Sequence, residues 1–129
     1  MIVEDSDFVR AVLRNLLAET EGFELIGEYA DAASAMRAVS VAPPDVILLD
    51  IQLDAGNGMD VLKHVCGKFA AVKVIMVSNY PEQVFRNRYL AAGAYRFFDK
   101  SHEIVQLRHA LVELATLPQP EANRHAAAG

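Results

Sequence analysis

Five side chains scattered along a chain of 129 residues carry between them the groups needed to handle phosphate: the acidic pair Glu4 and Asp5, the lone Asp50, the hydroxyl of Ser78 and the ammonium of Lys100. Three carboxylates brought together repel one another unless a cation sits among them, and a hard, oxygen-seeking ion such as Mg²⁺ suits that donor set. A carboxylate is also a competent nucleophile at phosphorus, giving an aspartyl-phosphate. An ammonium and a hydroxyl could then hold the equatorial oxygens, so that catalysis would consist of positioning and charge stabilisation. Each residue also has a plainer reading. Asp50 could cap a loop, Glu4 and Asp5 could sit at the positive end of a helix, Ser78 could open a turn before Pro81, and Lys100 could lay its stem along a strand end. The plainer readings predict no particular set of residue types, whereas phosphoryl chemistry predicts this one.

Which reading holds depends on the elements that would bring the five together. Pro43 to Asp50 contains an unbroken apolar run, preceded by prolines and stopped at a carboxylate, which is the pattern of a strand buried on both faces. Parallel strands of that kind present their binding groups at their carboxyl ends. After it comes a loop with two glycines, Gly56 and Gly58, and then helical spacing at Met59, Val61, Leu62 and Val65 as far as Cys66, with Gly67 expected to end the helix. Met1 to Val3 is a strand fragment that ends at Glu4 and Asp5. Behind a Ser6 or Asp7 cap, Phe8, Val9, Val12, Leu13, Leu16 and Leu17 recur with helical period up to Gly22. Phe23 to Tyr29 reads as a strand, and Ala30 to Val41 as a helix that begins near Asp31 and is stopped by Pro43. Val72 to Val77 is a second doubly buried strand, finishing at Ser78. Pro81 opens a helix carrying Val84, Phe85, Tyr89 and Leu90, which Gly93 terminates. Ala94 to Phe98 leads to Lys100, and a last helix from Ser101 to Ala115 carries Ile104, Val105, Leu107, Leu111, Val112 and Leu114. Five successive β-α units predict an α/β, doubly wound parallel sheet with helices on both faces, and right-handed crossovers leave few topologies. The five polar residues then share one sheet edge.

Length and composition narrow the function. Residues 1–116 make one domain, while residues 117–129, with Pro118, Pro120 and an alanine-rich end, lose apolar periodicity and read as a flexible tail or truncated linker. A 53% apolar and 22% charged composition is that of a soluble globular chain, and its formal charge of −5 argues against a direct grip on nucleic acid. No run is long enough to cross a bilayer and no basic start leads into an apolar stretch, so a cytoplasmic protein without membrane contact is expected. The lone Cys66 fits a reducing compartment. His64, His102, His109 and His125 lack metal-ligand spacing, and no glycine-rich phosphate loop follows the first strand, which disfavours a dinucleotide enzyme or a P-loop NTPase.

Taken together, Ile-Val-Glu-Asp at 2–5, Pro-Asp-Val-Ile-Leu-Leu-Asp-Ile at 44–51 with Gly58 following, Val-Ile-Met-Val-Ser at 74–78 and Ala-Gly-Ala-Tyr-Arg-Phe-Phe-Asp-Lys-Ser at 92–101 resemble the receiver domain of two-component response regulators. The resemblance implies a flavodoxin-like sheet of five parallel strands in the order 2-1-3-4-5 with five helices. It implies Asp50 as phospho-acceptor, Mg²⁺ held by Asp5 and Asp50 with Glu4 acting through water and Gln52 through its backbone carbonyl, and Ser78 and Lys100 as phosphoryl ligands. Ser78 and Phe97 would form the switch, acting on the face made by helix four, strand five and helix five, where Arg86, Arg88, Arg96 and Arg108 are interspersed with acidic groups. The partners implied are a sensor histidine kinase or phosphotransfer protein upstream and, through that face, a downstream protein or a separate output domain. Such a chain would be no enzyme beyond its own phosphoryl transfer and dephosphorylation.

The chain departs from the family at several points. Leu53 and Asp54 stand where Met-Pro is usual, and Asp54 is expected to add negative charge near the site. Asn79 replaces a small residue and is expected to narrow the entrance. Lys100 precedes Ser101 rather than proline, so the family's cis bond would cost about 2.5–4 kcal/mol here. Tyr95 and Arg96 replace the two acidic residues that many dimerising relatives carry before the aromatic. Two other readings use the same residues: a pseudo-receiver acting as a phosphorylation-independent interaction module, and a phosphohydrolase with an aspartyl nucleophile. The latter wants a second acid two residues beyond its nucleophile, where Gln52 stands.

Overall fold

The computed structural model describes residues 1–79 and 82–117. Strands and helices alternate throughout: β1 Ile2–Val3, α1 Asp7–Glu19, β2 Glu28–Tyr29, α2 Ala32–Val41, β3 Val46–Leu49, α3 Gly58–Lys68, β4 Lys73–Ser78, α4 Gln83–Ala91, β5 Arg96–Asp99 and α5 Ile104–Thr116. Every ladder is parallel and the strand order is 2-1-3-4-5, a doubly wound, flavodoxin-like α/β fold.

The period-2 alternation of strand side chains splits the core into two layers. Val3, Ile47, Leu49, Val74, Met76 and Phe97 face α2, α3 and α4, where they meet Ala35, Val39, Leu62, Val65 and Tyr89. Ile2, Leu48, Ile75, Val77 and Phe98 face α1 and α5, where they meet Leu13, Leu16, Leu107 and Leu111. The central strands therefore need apolar residues at every position, which is why their sequences read as unbroken runs. Among the described residues no helix is long and apolar enough to cross a membrane.

Side-chain caps set three of the helix starts. Ser6 Oγ accepts Val9 N–H at 3.2 Å, Asp31 accepts Ser34 N–H at 2.9 Å, and Asn57 accepts Asp60 N–H at 3.0 Å. Of the two caps offered for α1, Ser6 is the one used.

Several boundaries differ from the sequence reading. The strand expected over Phe23–Tyr29 pairs only at Glu28 and Tyr29, because β1 is itself two residues long and offers no further rungs. Phe23 and Leu25 instead pack under the α1/α5 layer, while Ile26 is exposed. Helix α3 runs through Gly67 to Lys68; a Cβ at Gly67 would meet nothing, so this glycine is under no local constraint. Helix α5 starts at Ile104 rather than Ser101, because Asp99 takes up Ser101 N–H with its side chain and Glu103 N–H with its carbonyl, at 2.8 and 2.9 Å. Gly93 does end α4, at φ +116°, a conformation that disfavours any side chain. Pro81, expected to open α4, and the tail from Pro118 lie outside the described residues. None of the described peptide bonds is cis, that of Lys100 and Ser101 included.

Candidate functional site

The ladder places the polar residues. Glu4 and Asp5 follow β1, Asp50 follows β3, Ser78 closes β4 and Lys100 follows β5. Backbone bonds fix them to one edge: Glu4 N–H to Tyr29 O and Asp50 N–H to Val3 O at 2.9 Å each, and Lys100 N–H to Ser78 O at 2.9 Å. Glu4, Asp5, Ser6, Val9, Asp50, Gln52, Asn79 and Lys100 line an open cavity of about 200 Å³.

Within it Glu4, Asp5 and Asp50 each offer one carboxylate oxygen, all within 4.8 Å of one another, and no other such group occurs among the described residues. Glu4 is 1% exposed. Its Oε2 accepts Ser6 N–H at 3.1 Å, and the Lys100 ammonium lies 2.5 Å from its Oε1 and 3.2 Å from Asp50 Oδ1. Burial pushes the Glu4 carboxyl up to about 7, with the Lys100 ammonium opposing the shift and the Asp50 charge adding to it. Asp50 Oδ1 also accepts the N–H of Ile51 at 2.7 Å.

The donor set fits a hard divalent cation. All three groups are carboxylates, and Glu4 Oε1 is buried with no hydrogen bond of good geometry, only the ammonium beside it. Lys100 therefore acts as an internal counter-ion to two of the three acids.

Gln52 lines the cavity, and its backbone forms an isolated antiparallel bridge with Asn57 that closes the loop after Asp50. Asp54 does not line the cavity. It is exposed, and its N–H donates to Ala30 O at 3.1 Å, a bond that the family's proline could not make, while Leu53 packs into the core. Asn79 is among the residues that line the cavity.

Ser78 and Phe97 stand behind the cavity rather than in its wall, at 0% and 2% exposure. The Phe97 ring packs against Tyr89 with centroids 6.0 Å apart, and the Arg86 guanidinium lies over it at 5.1 Å. Arg86 also donates to Phe97 O and to Glu103 Oε1, at 2.6 Å each. The basic surface read from the sequence is thus partly consumed inside the fold. Arg86 is tied to Phe97 O and Glu103, whereas Arg88, Arg96 and Arg108 are exposed, Arg96 lying over the Tyr95 ring and Arg108 bonding Glu19 at 3.3 Å.

Two participants were not singled out by sequence. Ser6 supplies both the α1 cap and an N–H to Glu4, which its capping role signals only in part. Arg10 reaches back from α1 to the Glu4 carbonyl at 2.9 Å, and nothing in its spacing announces that contact.

A family model described as the response regulator receiver domain matches residues 1–112. Among curated proteins, the chain is 36% identical over 83 residues to protein-glutamate methylesterase/protein-glutamine glutaminase 5 of Myxococcus xanthus (strain DK1622), covering 64% of this chain and 24% of that protein. It is 28% identical over 127 residues to the DNA-binding transcriptional activator DevR/DosR of Mycobacterium tuberculosis, covering 98% and 58%. It thus spans about a quarter of the length of the first relative and under two thirds of the second. Among solved structures, the response regulator domain of Thermotoga maritima CheB superimposes with a TM-score of 0.76 at 30% identity, covering 88% of this chain and 90% of that one.

Proposed function

The chain belongs to the response regulator receiver domain family, and from that premise we propose that it is a phosphorylatable signalling receiver whose acceptor is Asp50. The observation that carries the reading is the convergence of Asp50, Glu4, Asp5 and Lys100 on one open cavity at the carboxyl edge of the sheet. Asp50 Oδ1 is engaged by Ile51 N–H and Lys100, so Oδ2 is the attacking oxygen. The O–P bond forms on it as the N–P bond of a phosphohistidine, carried by a sensor kinase or phosphotransfer protein, breaks. Lys100, already beside Asp50, stabilises the charge spread over the equatorial oxygens. Asp5 and Asp50 would hold Mg²⁺ directly, Glu4 through water and Gln52 through its carbonyl; when bound, the ion neutralises negative charge on the phosphoryl oxygens. The chain turns over no separate substrate in this reading and works in the cytoplasm without membrane or direct nucleic-acid contact.

On the output side, Ser78 donates its hydroxyl to the aspartyl-phosphate, and that bond favours the arrangement in which Phe97 is buried. The result is a population shift on the α4, β5 and α5 face, where a downstream protein or output domain docks. Phe97 lacks the hydroxyl of tyrosine, so no hydrogen bond of its own sets its preference, which rests on packing against Tyr89 and on the Arg86 guanidinium over its ring.

Intact-mass analysis after treatment with acetyl phosphate and Mg²⁺, and with a phosphorylated phosphotransfer protein, should show one added phosphoryl that Asp50→Asn removes. Equal labelling of the variant overturns the assignment. A wild type labelled by neither donor would make the chain a phosphorylation-independent interaction module. Ser78→Ala should still be labelled yet lose the amide-shift changes on the output face. Shifts matching the activated wild type would remove Ser78 from the relay.

A further inference from the structure

The carbonyl of Glu4 has a donor that the sheet does not supply. In a parallel ladder the N–H and C=O of one residue point to the same side, and Glu4 N–H faces β2, donating to Tyr29 O. Because β2 ends at Tyr29, the next rung has no backbone donor. Arg10 fills it, with Nη1 donating to Glu4 O at 2.9 Å. The same guanidinium pairs through Nη2 with Asp7 and lies with Nε 3.7 Å from Glu28 Oε1. Glu28 is in turn gripped by Arg14 through two bonds of 3.0 and 2.8 Å.

The division of labour within Arg10 is informative. Its charge is balanced by Asp7 and Glu28, outside the cavity, whereas its contact with the acidic pair is to a neutral carbonyl. Lys100 already pairs with Glu4 and Asp50 from the cavity side, whereas Arg10 reaches the acidic pair only through the backbone between it and β2 and takes up no carboxylate oxygen of Glu4 or Asp5. Glu4 has independent supports in burial, Ser6 N–H and Lys100. Asp5 is only half-buried, so the direction of its side chain depends on the peptide that joins it to Glu4.

We propose that Arg10 is a positioning residue for the acidic pair: by fixing the Glu4 carbonyl it fixes the Glu4–Asp5 peptide, and with it the aim of the Asp5 carboxylate into the cavity. The inference rests on the reading of that cavity as a cation site. Partners hydrogen-bonded to a metal ligand change affinity by about 10–100-fold when lost, and Arg10, acting on the peptide that leads into Asp5, stands one link further out, so the lower end of that range applies.

The test is a Mg²⁺ titration followed by ¹⁵N amide shifts, with thermal melting alongside, on wild type, Arg10→Met, Arg10→Lys, Asp7→Asn and Glu28→Gln. Arg10→Met should weaken Mg²⁺ binding about tenfold and move the Asp5 and Ser6 amide shifts in metal-free protein. Arg10→Lys, which keeps a donor, should fall between the two. Asp7→Asn and Glu28→Gln remove ion pairs but leave the carbonyl bond, so they should alter melting while holding affinity within about twofold of wild type. Affinity of Arg10→Met equal to wild type overturns the inference alone. If that variant does not fold, a loss in Arg10→Lys with none in Asp7→Asn supports the inference, and equal affinities in those two overturn it. A wild type with no saturable Mg²⁺ shifts overturns the reading of the cavity, and this inference with it.

Discussion

Replacing Gly58 with alanine separates two physical effects of opposite sign. Gly58 is the first residue of α3, where alanine would ordinarily favour the helix by up to about 1 kcal/mol. Here the added Cβ would lie 2.3 Å from the carbonyl oxygen of Asp50, 3.1 Å from Ile51 Cα and 3.2 Å from Asp50 C. All three are backbone atoms, and Gly58 N–H is bonded to Ile51 O at 2.7 Å, so no side-chain rotation relieves the overlap. Overpacking costs roughly 1–3 kcal/mol, and backbone on both sides puts this case at the upper end; after the gain in propensity a net loss of about 2 kcal/mol remains. With a urea slope of about 2 kcal/mol/M for a domain of this size, the unfolding midpoint should fall by about 1 M. The displaced peptide carries Asp50, so Mg²⁺ affinity and acetyl phosphate labelling should fall as well. A midpoint equal to or above that of wild type would show that α3 can retreat from Asp50 at little cost, and the close approach would then be no constraint.

Asp5→Asn should weaken Mg²⁺ binding by about tenfold or more while leaving the metal-free melting temperature unchanged or higher, since it relieves like-charge repulsion; equal affinity would leave Asp5 no role as a ligand. Arg86→Met removes the bonds to Phe97 O and Glu103 and should cost about 1–2 kcal/mol in urea unfolding, with amide shifts concentrated at Phe97 and Asp99; no loss would mean that the latch contributes nothing. Asp99 is held below its ordinary carboxyl range first by Ser101 N–H and then by His102. A carboxyl depressed in the folded state stabilises above its unfolded pKa, 3.8, and loses that contribution as pH falls through its folded value. The stability gap between wild type and Asp99→Asn should therefore close below pH 3.8, and a gap independent of pH would contradict the shift.

Much of this was legible because the chemistry lies where a periodic pattern stops. The apolar runs of β3 and β4 end abruptly at Asp50 and Ser78, and a parallel sheet gathers such ends without any further information. The limits of β2 were not legible, because Phe23, Leu25 and Ile26 have strand-forming side chains, and what truncates the strand is the length of its partner rather than its own composition. The start of α5 was hidden for a related reason, since Asp99 diverts the N–H groups of Ser101 and Glu103 into a local turn. The pairing of Lys100 with Glu4, and the reach of Arg10 to a carbonyl six residues back, are side-chain choices among several acids. No spacing specifies them.

The brevity of β1 divides the sheet into unequal parts. β3, β4 and β5 are joined by four residue pairs at each ladder, whereas β1 meets β2 and β3 through two pairs apiece. Local opening is easiest where the fewest rungs must break, so β3 to β5 can be regarded as a slab and β1 with β2 as a leaf held to it by the shorter ladders. The cavity straddles that seam, with Glu4 and Asp5 on the leaf and Asp50 and Lys100 on the slab. Any cation shared by Asp5 and Asp50 rivets one to the other, and at a hundred times its dissociation constant it would add about 2.7 kcal/mol against their separation. Occupancy of the site would thus be felt along the β2 margin, as resistance to proteolytic nicking at residues that never touch the ion.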